Sequence, residues 1–99
     1  MLLIDDSEFD DRFIKKIGKF EIYVDHENMP KFLDFVKKGY LKQAETALRQ
    51  TPNYTKAHQF NQGLLYLLSK KPREAYNTLK DHQPDSHNCQ MAMEMLNMK

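Results

Sequence analysis

Tryptophan is absent from this chain of 99 residues, cysteine occurs once, and there are only three glycines and four prolines. Each scarcity excludes something. The lone Cys89 can form no internal disulfide, which fits a reducing compartment. So little glycine and proline argues against a β-rich or disordered chain. The paired cysteines of a structural zinc site are missing, as is any glycine-rich phosphate loop. No apolar run approaches the ~20 residues needed to span a bilayer. The opening Met-Leu-Leu-Ile turns acidic at Asp5, so a secretory signal is not expected. These absences together point to a soluble, cytoplasmic chain of one domain with no cofactor.

What is present favours helix: Leu, Lys, Gln, Glu, Met and Ala dominate. The net charge of +1 conceals an asymmetry. Residues 1–30 hold eight acidic and four basic side chains, a net of −4, and residues 31–99 hold eleven basic and six acidic, a net of +5. An acidic front end lying against a basic body, or a basic partner, is the simplest reading.

Hydrophobic spacing predicts an all-α fold of five to six short helices in stacked antiparallel hairpins. Phe9, Phe13 and Ile17 recur every four residues, with Ile14 and Phe20 beside them and Asp5 to Ser7 as caps. This predicts an acidic N-terminal helix, followed by residues 20–24 as helix or extended connector, within a first segment of residues 1–28. Pro30 suits the first turn of a helix ending near Gly39. Leu41, Ala44, Ala47 and Leu48 mark a second helix, stopped around Pro52. A long apolar helix runs from Tyr54 or Thr55 to Ser69. Pro72 opens the next, with Ala75, Tyr76 and Leu79 as its inner face. Short linkers make residues 29–84 two consecutive hairpins. Pro84-Asp-Ser86 caps a last, Met-rich helix that closes the stack over residues 85–99.

The two hairpins align at an offset of 31 residues. Leu33 falls on Leu64, Ala44 on Ala75, Leu48 on Leu79 and Phe35 on Tyr66. Gly63-x-x-Tyr66 followed by Ala75 and Leu79 resembles the tetratricopeptide repeat over about half the chain. The chain departs from that family in its repeat length, and Phe32 stands where Gly63 does. In size and architecture it is also similar to small repeat-like chaperones of bacterial secretion systems, which hold the helix of a needle subunit.

The resemblance implies that first helices of the repeats line a groove. On this chain those positions are Leu33, Val36, Ala57, Phe60, Leu64, Leu67 and Leu68, with Met29 and Lys37 at the margin. Apolar walls suit an amphipathic helix of a partner protein. The expected function is therefore a non-catalytic protein–protein interaction module, a small chaperone or adaptor. The alternative is a structural subunit embedded in a larger, organellar assembly. A competing occupant is the chain itself, through Phe9, Phe13 and Ile17 or through the Met-rich final helix.

Lys37, Lys38 and Lys42 cluster at one hairpin turn and Lys70, Lys71 and Arg73 at the other, predicting a basic ridge at one end. No stacking aromatic is interleaved with these lysines, which argues against nucleic acid. His82, His87 and Cys89 lack the fourth ligand of a metal site. The carboxylates from Asp5 to Asp11 read as caps and solvated charge, not catalytic groups. His26 and His58 read as surface or packing residues.

Overall fold

The computed structural model describes residues 11–24, 29–50, 56–81 and 83–97. The predicted caps at Asp5–Ser7, together with Phe9, His26 and His82, lie outside them. After a 3-10 turn at Asp11–Phe13 come two strands, β1 (Ile14–Ile17) and β2 (Phe20–Tyr23). Five helices follow: α1 (Met29–Lys37), α2 (Leu41–Arg49), α3 (Lys56–Leu68), α4 (Pro72–Leu79) and α5 (His87–Asn97). The architecture is predominantly helical with one small sheet.

That sheet corrects the helix expected through Ile14, Ile17 and Phe20. β1 and β2 pair antiparallel, Ile14 opposite Tyr23 and Ile17 opposite Phe20, leaving Gly18-Lys19 as a two-residue loop. Gly18 has a φ of 61° at the first loop position, the place where a tight II′ hairpin turn demands glycine. Its flanks are β-branched or aromatic: Ile14 and Ile17 before, and Phe20, Ile22, Tyr23 and Val24 after. Such residues lose side-chain freedom in a helix and pack well on a pleated surface. The four-residue spacing of Phe13 and Ile17 is thus a coincidence of a strand that alternates around a turn.

The two helical hairpins carry the same turn at the predicted offset. Gly39 N–H donates to Val36 C=O (3.1 Å) and Tyr40 N–H to Phe35 C=O (2.9 Å). Thirty-one residues later Lys70 N–H donates to Leu67 C=O (3.1 Å) and Lys71 N–H to Tyr66 C=O (2.8 Å). Both are Schellman caps, in which the residue after the helix adopts a left-handed conformation. Gly39 does this at φ 78°, but Lys70 must do it at φ 61° with a Cβ. A left-handed L-residue costs about 1–2 kcal/mol. Lys70→Gly should therefore raise stability by about 1 kcal/mol, a Tm gain of roughly 4–8 °C in thermal melts. Gly39→Ala should lose a similar amount.

α3 lies at the centre, packed against α2, α4, α5 and β2. Its Phe60, Leu64, Leu65 and Leu67 are buried together with Ile22, Phe32, Leu48 and Leu79. Gly63 brings α4 close: a Cβ there would sit 2.6 Å from Leu79 Cγ. The glycine of the repeat-like pattern thus serves contact within its own hairpin. Ser86 Oγ accepts from Cys89 N–H (3.2 Å), capping α5 where the Pro84-Asp-Ser86 signal places it. No helix among the described residues is long and apolar enough to cross a membrane.

β2 is held by side chains instead of a third strand. Asn61 on α3 donates through Nδ2 to Tyr23 C=O and accepts from Tyr23 N–H, both at 2.9 Å. Asn88 on α5 repeats this with Glu21, donating at 2.7 Å and accepting at 2.9 Å. Next to it, His87 Nε2 donates to Lys19 C=O (2.8 Å). Lys19, Glu21 and Tyr23 are alternate residues, so three side chains close the outer edge of β2 at each outward-facing position. Tyr23 also meets Phe13 edge-to-face, with ring centroids 6.0 Å apart.

Candidate functional site

The predicted groove along α3 is not open. Phe60, Leu64 and Leu67 are at most 2 % exposed and Val36 is buried, whereas Leu33, Ala57 and Leu68 are half-buried. Burial of this kind leaves no face along α3 for an incoming helix. The occupant comes from the chain itself: β2 lies on α3 and contributes Phe20 and Ile22 to the same core. The sequence rightly required a cover on a second side of α3. A strand pair, not a helix, supplies it, and these leucines are core.

The six basic residues Lys37, Lys38, Lys42, Lys70, Lys71 and Arg73 are all exposed. His58 near the start of α3 hydrogen-bonds the backbone of Leu48 near the end of α2, joining those two helix ends. Gln83 Nε2 donates to Lys56 C=O (3.2 Å), tying the exit of α4 to the same end. The two Schellman turns carry these basic residues, Lys37, Lys38 and Lys42 at one and Lys70, Lys71 and Arg73 at the other. Lys38 pairs with Asp34 at 3.1 Å across one helical turn, in the open, where such a pair is worth little.

α1 and α2 flank an open cleft of about 420 Å³ lined by Lys31, Phe35, Lys42, Gln43, Thr46, Ala47 and Gln50. Helical spacing builds it. Lys31 and Phe35 are one turn apart on α1, and Lys42, Thr46 and Gln50 are one turn apart on α2. Phe35 and Ala47 form an apolar floor. Lys31 and Lys42 also line it, and among the described residues no carboxylate does. Thr46 Oγ1 donates back to Lys42 C=O (3.1 Å), leaving its oxygen lone pairs as the open function. The Arg49–Glu45 ion pair lies across one turn of α2 outside this lining. The cleft can therefore take an apolar group flanked by negative charge. Of its lining, the sequence singled out only Lys42. The i, i+4 stripe from Lys31 to Phe35 could have marked it, but Phe35 reads as core because it aligns with Tyr66.

Other reactive types are engaged elsewhere. Cys89 is buried, and burial raises its thiol pKa, reinforced by the nearby Asp85 carboxylate, so the nucleophilic thiolate is disfavoured. His87 is committed to the Lys19 carbonyl. Among the described residues no three His, Cys, Asp or Glu side chains gather as a metal site would require.

Burial lowers the pKa of His58 below the ordinary value of an imidazole, outweighing the hydrogen bond to Leu48, which raises it. The unfolded chain then takes up the proton first. The stability that neutral His58 permits is fully present above about pH 6.5 and is lost as pH falls through the folded-state value. The Tm of the native chain should drop between about pH 7.5 and about pH 5 more steeply than that of His58→Gln.

Comparisons with protein-family models, curated proteins and solved structures give no match to this chain.

Proposed function

We propose that this chain is a non-catalytic protein–protein interaction module, a small repeat-like adaptor that takes an acidic, amphipathic helix of a partner protein. The docking face is the cleft between α1 and α2 together with the basic turns beside it. One observation carries this reading: a cleft with an apolar floor, Phe35 and Ala47, is also lined by Lys31 and Lys42 and, among the described residues, by no carboxylate. An amphipathic helix supplies the complement, apolar side chains for the floor and acidic ones for Lys31 and Lys42. The matched turns at an offset of 31 residues support the tetratricopeptide-like element of the reading. Only Tyr40 and Met93 are exposed large apolar side chains among the described residues. That gives little support to an embedded structural subunit, which needs a broad apolar face.

The experiment is site-specific photo-crosslinking in cells, with mass spectrometry of what is captured. A probe at Thr46 in the cleft should capture a partner that a probe at Asn77, the equivalent position on the second hairpin, does not. Lys31→Glu with Lys42→Glu should weaken capture at least about tenfold and leave the Tm unchanged. Equal capture from both probes, indifferent to charge reversal, overturns the proposal.

A further inference from the structure

The small sheet has two edges, and they are treated differently. The outer edge of β2 is closed by His87, Asn88 and Asn61. The main-chain groups of Glu21 and Tyr23 face those side chains, so they do not face β1. Their cross-strand partners, Lys16 and Ile14, are therefore the non-hydrogen-bonded pairs of the ladder. The Val24 N–H to Phe13 C=O bond at 3.0 Å fixes the same phase. It follows that the N–H and C=O of Ile14 and Lys16 point away from β2, and no strand lies beyond them among the described residues. Two donors and two acceptors stand along a four-residue edge.

We propose that the outer edge of β1 is a docking edge, which an extended acidic segment of a partner protein joins as a third strand. Adding a strand to a free edge gives affinity through the main chain and selectivity through alternate side chains. The selectivity here is electrostatic. Lys15 and Lys16 are exposed on β1, and Ile14 and Ile17 are half-buried on either side of them. A second copy of the chain is a poor occupant, because antiparallel pairing of β1 with itself sets lysines against lysines, and facing like charges are destabilising. An incoming strand with acidic residues reverses that sign. The edge lies on different elements from the α1–α2 cleft, so this proposal stands or falls independently of the adaptor reading.

The test uses the full chain and a synthetic peptide of alternating Glu and Val. Hydrogen exchange of the free protein should show fast amides at Ile14 and Lys16 beside a protected Tyr23. Adding the peptide should slow both. A peptide of alternating Lys and Val should not. Lys16→Pro removes one outward N–H and leaves the bonds between β1 and β2 in place, and proline is tolerated on an edge strand. It should weaken binding about tenfold or more. The double change Lys15→Glu with Lys16→Glu should do the same and transfer binding to the Lys–Val peptide, so the proposal remains testable even if the proline variant does not fold. Slow amides at Ile14 and Lys16 in the free monomer would mean that the chain's own acidic residues 1–10 occupy the edge, and would overturn the proposal. So would peptide binding indifferent to both variants. Absence of binding, with self-association once the lysines are neutralised by Lys15→Gln with Lys16→Gln, would show that they merely guard the edge.

Discussion

Leu64→Asp should unfold the chain outright. Leu64 is fully buried in the middle of α3, within the core that α2, α4 and β2 share. Truncating such a leucine to alanine costs about 2–5 kcal/mol. Placing a carboxylate there adds the cost of desolvating a charge with no cation to meet it, several kcal/mol more. A domain of this size holds about 5–15 kcal/mol in total. The alanine variant should thus remain folded with a lowered urea midpoint, and the aspartate variant should show no cooperative transition by circular dichroism. A folded Leu64→Asp that fails only to bind a partner would restore the open groove along α3.

The second large effect is expected at Asn61. Its amide satisfies both main-chain groups of Tyr23 in a site closed to water. Asn61→Ala leaves a buried donor and a buried acceptor unpaired, at about 1–3 kcal/mol each, so a loss of about 2–6 kcal/mol is expected. Asn88→Ala should cost less, because Glu21 is half-exposed and water can replace the lost amide. Asn61→Asp discriminates further. Near neutral pH the carboxylate still accepts from Tyr23 N–H but repels Tyr23 C=O. Protonation restores a donor, so this variant should lose less, relative to the native chain, as the pH is lowered. Urea titrations at two pH values measure both effects, and exchange of the Tyr23 amide reports the clamp directly. Equal stabilities for Asn61→Ala and the native chain would show that the clamp contributes nothing.

These two sites mark where sequence reasoning succeeded and where it stopped. The helices were legible because their punctuation is local: Gly39 after α1, Pro72 at the start of α4, Ser86 before α5. The apolar circumference of α3 correctly implied a second covering surface. Its identity was misread because Phe13 and Ile17 sit four apart, a spacing that also arises in a strand entering a hairpin. The stronger signal was Gly18-Lys19 between Ile17 and Phe20, flanked by β-branched and aromatic residues. Asn61 and Asn88 were illegible for a different reason. An asparagine in a helix reads as a solvent-facing residue, and its role here depends on a strand 38 or 67 residues away in the chain. The cleft was half legible. Its lysines follow from composition, whereas Phe35 and Ala47 belong to stripes whose other members are buried.

The clasp on β2 sets an order of events during folding. An isolated two-stranded hairpin is marginal in water, and two of its three ties come from His87 and Asn88 at the start of α5. On a ribosome, β1 and β2 emerge before α5 and must therefore wait for it before they can be locked. Proteolytic loss of α5 would loosen the β1–β2 pair, so damage beyond Ser86 should be felt first in strands more than 60 residues earlier.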